Sequence, residues 1–228
     1  MLEARRNVSD LTVPTWTLAL AQTAARGRRG RVWVMPKGNF AATLALPVAG
    51  GPAQGALRSF VAALALFDSF ADVTGRTEGL ALKWPNDVLL NGGKVAGILL
   101  ETLPREGWLA VGIGVNLVAA PDAGAVEPGA VRPVSLSGET GIVVAPADFM
   151  TLVAANFDRW EAVMARDGFE PIRTAFLARA ARVGQEITAR LPNEELRGRF
   201  ETIDVAGQLV LATDRGLRHI PAADIFFS

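Results

Sequence analysis

Apolar positions along the chain follow two regimes. Up to about residue 181, short apolar runs alternate with long stripes at helical spacing, while beyond Gly184 the runs are short, close together and alternating. Residues 15–20 and 41–48 read as buried strands, and 32–35 as a further short one. A helix is predicted over 53–73. Leu57, Val61, Leu64 and Phe67 recur at i, i+4, i+7 and i+10, Phe60 and Phe70 widen the stripe, and Gly75 closes it. Residues 80–84 form a strand ending at Pro85, and 87–90 and 94–102 flank Asn91-Gly92-Gly93 as a hairpin. Residues 108–117 supply the strand that pairs with the second arm.

The Ala-, Pro- and Gly-rich stretch 119–138 reads as an irregular crossing, followed by helices over 146–166 and 171–181. Five short strands then span 186–191, 196–204, 208–213, 215–221 and 224–227, a spacing that suits a small β-barrel. A boundary near Arg182 divides the chain into 1–181 and 182–228, and no internal repeat is visible.

Composition removes several chemistries. The 228 residues include no cysteine, so disulfides, zinc–thiolate centres, iron–sulfur clusters and a thiol nucleophile are excluded. The one histidine, His219, rules out a multi-histidine metal centre and reads as a satisfied or exposed residue on a strand. Lys+Arg and Asp+Glu both number 23, so overall charge points to no polyanion, and any phosphate site must come from local clustering. The opening MLEARRNVSD is too polar for a signal peptide, and no apolar run is long enough to span a bilayer. The expected compartment is the cytoplasm, without a membrane partner.

Four segments carry candidate chemistry. Arg26-Gly27-Arg28-Arg29-Gly30-Arg31 concentrates four arginines in a loop, with Trp33 and Lys37 beyond. Guanidinium forks suit phosphate or carboxylate, although such a tract can also be a solvated basic loop or bind RNA. In Leu82-Lys83-Trp84-Pro85-Asn86-Asp87, a strand delivers a lysine beside an aromatic and two polar groups. That lysine is either a fixed point charge in a partly dry site or a surface residue before a turn. Lys94-Val95-Ala96-Gly97 places small residues inside a strand, where a ligand or another backbone can approach closely. Gly112-Ile113-Gly114-Val115-Asn116 lacks the third glycine and following helix of a dinucleotide fingerprint, and Gly92-Gly93-Lys94 lacks the P-loop spacing.

Taken in order, RGRRGR-x-W, KWPND, KVAGIL and GIGVN resemble the biotin protein ligase family, and the resemblance covers nearly the whole chain. It implies an α+β fold: a mixed β-sheet with helices on one side, of the class II aminoacyl-tRNA synthetase-like type, followed by a small SH3-like barrel. It implies a monofunctional ligase without a DNA-binding segment. ATP and biotin, with Mg²⁺, would give biotinyl-5′-AMP. The biotin carboxyl carrier domain of acetyl-CoA carboxylase would then accept biotin on a lysine. A homodimer is compatible with the resemblance.

By the same resemblance, Lys83 and Arg28 are catalytic. Gln22, Arg26, Gly27, Arg28, Lys83, Trp84, Gly97, Gly114 and Asn116 contact biotin or the adenylate, with Lys94 lining the pocket. Asn86 and Asp87 are candidates to hold Mg²⁺. The loop would close over the intermediate as a lid. Ala25 stands where the family has glycine, and would cost about 1 kcal/mol if that position required positive φ. The chain begins Met1-Leu2-Glu3-Ala4, which matches the tail of the family's Ser-Thr-(Asn)-x-Glu-Ala motif. The expectation is an upstream strand and Ser-Thr pair, weak biotin binding without them, and a poorly anchored first helix. Two other readings stand beside this one: a lipoate–protein ligase of the same fold, and a nucleic-acid-binding module built on the arginine loop. The even charge and the lack of aromatic interleaving weigh against the second.

Overall fold

The computed structural model describes residues 1–22, 25–27, 30, 33–122, 124, 126, 127 and 129–227. In chain order the elements are α1 (Leu2–Asn7), β1 (Thr15–Ala19), β2 (Phe40–Pro47), α2 (Gly51–Ala56), α3 (Arg58–Thr74), β3 (Leu80–Lys83), β4 (Asp87–Leu90), β5 (Gly93–Thr102) and β6 (Trp108–Val115). They continue with α4 (Leu136–Thr140), α5 (Pro146–Asp167), α6 (Phe169–Leu177), β7 (Glu186–Arg190), β8 (Glu195–Ile203), β9 (Leu209–Thr213), β10 (Gly216–Ile220) and β11 (Asp224–Phe227). Of residues 32–35, expected as a strand, Val32 lies outside the described residues and 33–35 belong to none of these elements.

The first six strands form one sheet in the order β1-β2-β6-β5-β4-β3. Every ladder between them is antiparallel. Among the described residues, the mixed character enters through two isolated parallel bridges, Leu82–Ala180 and Lys94–Pro133. Asn91 and Gly92 both take positive φ, 49° and 75°, which is the two-residue turn that matches strand twist in the β4–β5 hairpin.

Strand alternation sorts this sheet into two faces. Phe40, Ala42, Leu44 and Leu46 of β2, with Leu109, Val111, Ile113 and Val115 of β6, join the main core beneath α3 and α5. Helix α3 is buried along most of its length and ends at Gly75, whose φ of 68° closes the last turn. Asp68, which interrupts the longest apolar run, accepts from Trp160 Nε1 at 2.7 Å and pairs with Arg159 at 2.6 Å. No helix among the described residues is long and apolar enough to cross a membrane.

The opposite face carries the short α1, so the helices are not all on one side. Helix α1 is also anchored, contrary to expectation. Ala4 and Val8 pack with Ala45, Leu103, Trp108 and Ala110. Arg105 Nη1 donates to the carbonyls of Val8 and Leu11, and the Met1 amino group donates to Thr43 Oγ1 at 2.8 Å.

Strands β7–β11 form a second antiparallel sheet in the order β10-β9-β8-β7-β11. Among the described residues no ladder joins β10 to β11, so the hydrogen-bonded order is open where the spacing suggested a barrel. One continuous core joins the two sheets, because Ile187, Phe200, Leu209 and Ile225 pack in the same cluster as Leu82 and Trp84. His219 is satisfied on β10 by Asp204, at 2.7 Å.

Candidate active site

The face of the large sheet beside α1 forms the floor of a cavity of about 870 Å³. Its shape follows from the register. Ala19 pairs with Ala41, Ala41 with Gly114, Gly114 with Gly97, Gly97 with Asp87, and Asp87 with Lys83. One row across all six strands thus presents four small residues and then a charge pair. The next row runs Thr17, Thr43, Gly112 and Leu99. All ten of these residues line the cavity. Small side chains leave a trough on this face, while the alternate positions fill the core beneath it.

At the end of the first row, Asp87 bridges two ammonium groups. Its Oδ2 lies 3.6 Å from Lys83 Nζ, and its Oδ1 lies 2.7 Å from Lys94 Nζ. Lys83 and Asp87 are buried, at 9% and 8% exposed. Burial pushes the Lys83 ammonium below its ordinary pKa, against the upward pull of Asp87 and Asp224; Lys94 lowers it further. Lys83 therefore releases its proton at lower pH than a solvated lysine. A reaction that needs this charge should decline on the alkaline side with a midpoint below the ordinary 10.5, measurable in a pH profile of kcat/KM. The sign for stability is opposite: the unfolded chain holds this proton more tightly, so Lys83 favours folding increasingly as pH rises through that window.

Asn86 and Asp87 do not make a metal centre. Asn86 Nδ2 donates to Ile98 O at 2.7 Å, and a cation at Asp87 would compete with two lysines. Among the described residues, no three His, Cys, Asp or Glu side chains are grouped to hold a metal ion. Asn116 offers a different resource. Its Nδ2 donates to Val134 O at 3.0 Å, while Oδ1 is buried without a hydrogen-bond partner among the described residues. A ligand donor would satisfy it.

Gln22, Arg26, Gly27, Lys83, Gly97, Gly114 and Asn116 all line the cavity, as does Lys94. Arg26 pairs at the edge with Glu101, at 3.1 Å. Arg28 lies outside the described residues. Ala25 also lines the cavity. Trp84 does not line the cavity: it is 3% exposed, and its Nε1 donates to Gly207 O at 3.0 Å.

Trp33, beside the arginine loop, also lines the cavity, whereas the lining residues from the second sheet carry no signal in local pattern. Trp33 lies over the glycine row, so that a methyl group on Gly114 would come within 2.7 Å of its indole. Asp224 and Phe226 arrive from the second sheet. Because of that contact, Gly114→Val should displace Trp33 and fill the trough. Calorimetric titration with biotin, the ligand that the sequence resemblance implies, should then show a loss of affinity of roughly 10-fold or more, with the fold retained.

Residues 1–117 match the "Biotin/lipoate A/B protein ligase family", and residues 183–228 match the "Biotin protein ligase C terminal domain". The chain is 56% identical over 228 residues to a biotin–[acetyl-CoA-carboxylase] ligase of Paracoccus denitrificans, covering 99% of this chain and 95% of that protein. The chain belongs to the biotin/lipoate A/B protein ligase family. The bifunctional ligase/repressor BirA of Bacillus subtilis is 32% identical, over 96% of this chain and 68% of that protein. The fold is shared with the biotin protein ligase of Aquifex aeolicus in complex with biotin and ATP, at a TM-score of 0.82 and 21% identity, covering 99% of this chain and 95% of that one. The biotin protein ligase of Leishmania major in complex with biotin aligns with a TM-score of 0.68 at 21% identity, covering 97% and 94%. In this chain, the KWPND segment is where the cavity, the buried lysine and its carboxylate partner converge.

Proposed function

We propose that this protein is a biotin–[biotin carboxyl carrier protein] ligase. It activates biotin with ATP and transfers it to a lysine of the carrier domain of acetyl-CoA carboxylase. The observation that carries the reading is the transverse row Ala19-Ala41-Gly114-Gly97-Asp87-Lys83. It is a flat trough for a thin, largely apolar acid, ending at a buried ammonium group where a carboxylate would lie. The cavity volume, about 870 Å³, is in the range that holds an extended small ligand.

In the first step a carboxylate oxygen of biotin bonds to the α-phosphorus of ATP, the α–β phosphoanhydride bond breaks, and pyrophosphate leaves. Two anions must be brought together, so positioning and charge neutralisation dominate. Lys83 stabilises the developing charge without exchanging a proton. Arg26 adds positive charge at the cavity edge, and the family resemblance assigns the arginine-rich segment the role of a lid, with Arg28 among its phosphate contacts. In the second step the carrier lysine amine attacks the acyl carbon and AMP leaves. A divalent cation is assigned to the nucleotide phosphates as part of the substrate, because Asn86 and Asp87 do not fit as its ligands. The units 1–181 and 182–228 are read as the catalytic and C-terminal domains of this enzyme.

The test is biotin-dependent exchange of labelled pyrophosphate into ATP, followed by mass spectrometry of a carrier domain. The reading predicts exchange with biotin and a biotinyl-lysine on the carrier. Exchange with lipoate in place of biotin, and lipoylation of the carrier, would overturn it in favour of the lipoate ligase alternative.

A further inference from the structure

Lys83 is framed by more than its own sheet. Its Nζ lies 5.7 Å from the centroid of the Phe227 ring, on the last strand of the second sheet. The Arg182 guanidinium packs on the same ring at 5.1 Å. Arg182 stands at the junction between the two sheets with a φ of 68°, a conformation uncommon outside glycine, and its Nη1 donates to Gln185 Oε1 at 2.8 Å. Phe227 itself is fixed by its pairing with Ile187. The space bounded by Lys83, Trp84, Ala181, Ile187 and Phe227 is only about 10 Å³, so this seam is closely packed.

The charges around Lys83 explain what an aromatic face contributes there. Asp87 comes from β4 and is shared with Lys94 of β5, and Asp224 comes from β11. A further carboxylate would steady the ammonium, but it would also repel a substrate carboxylate and a triphosphate. A ring face attracts the cation through its quadrupole while adding no net negative charge. It therefore holds the ammonium in place and leaves its field available to an anionic ligand.

We propose that Phe227 is a positioning residue for the adenylation reaction, holding the Lys83 ammonium in place from the side of the second sheet. The inference rests on the reading of Lys83 as the cation that stabilises adenylation. It assigns Phe227 no contact with substrate.

Site-specific incorporation of mono-, di- and trifluorophenylalanine at position 227 tests it, since fluorine drains the ring quadrupole while nearly preserving shape. In biotin-dependent pyrophosphate exchange, kcat should fall stepwise with fluorine number, by roughly 3- to 10-fold across the series. KM for biotin and ATP should change less than about twofold. Phe227→Leu should match the low end of the series, and Phe227→Tyr should restore the rate. A flat kcat across a folded fluorine series overturns the proposal, whatever Phe227→Leu does to stability. Lys83→Ala, run in parallel, separates the two levels. If that variant is inactive while the fluorine series is flat, only the role of Phe227 falls. If it exchanges pyrophosphate normally, the electrostatic reading of Lys83 falls with it.

Discussion

Replacing Lys83 with alanine should abolish formation of biotinyl-AMP and leave the fold intact. Lys83 is 9% exposed, where an ammonium is screened by little water and acts strongly on a developing charge. Loss of one such charge costs on the order of 3 kcal/mol or more in the transition state, ~100-fold or more in rate. The fold survives because Asp87 keeps Lys94 at 2.7 Å, so no buried carboxylate is left uncompensated. Removing a desolvated ammonium also relieves the cost of burying it. Pyrophosphate release in the presence of biotin and ATP measures the rate, and a thermal melt measures the fold. A folded variant that turns over at the parent rate would remove Lys83 from the mechanism.

Much of this architecture is legible in the chain because the local rules agree with the tertiary solution. Asn91-Gly92 specifies its hairpin through two positive φ values, and the stripe from Leu57 to Phe70 specifies a core helix whose end is marked by Gly75. Other features depend on contacts distant in sequence. Residues 32–35 read as a strand, yet Trp33 N donates to Ala25 O and the indole lies on Gly114, so the glycine row, not strand pairing, decides the place of Trp33. The stretch 119–138 reads as irregular, yet Ser135 caps the short helix α4 by accepting from Gly138 N, and Gly141 ends it at a φ of 75°. Asp224 and Phe226 resemble any residues of a short edge strand, and only the packing of the second sheet brings them to the cavity. Helix α1 offers few apolar positions, and its anchorage comes from Trp108 and Arg105, about a hundred residues away.

Trp84→Ala should be the most destabilising change in the KWPND segment. Lys83 ends β3 and Trp84 follows it; Lys83 lines the cavity, whereas Trp84 packs in the core cluster with Leu82. A motif that reads as one recognition unit is therefore divided: the lysine faces the cavity, while the tryptophan joins the core between the two sheets. Trp84 is 3% exposed and donates to Gly207 O at 3.0 Å. Truncation to alanine removes that packing and leaves a buried carbonyl without its donor, at a cost of ~3–5 kcal/mol. For a chain of this size that corresponds to a fall in Tm of roughly 10 °C. Trp84→Phe keeps most of the volume and loses the donor, so it should cost ~1–2 kcal/mol. Biotin affinity of the phenylalanine variant, measured by calorimetry well below its melting temperature, should stay within about twofold of the parent. A tenfold loss of affinity at unchanged Tm would instead return Trp84 to the ligand site, and with it the undivided reading of the motif.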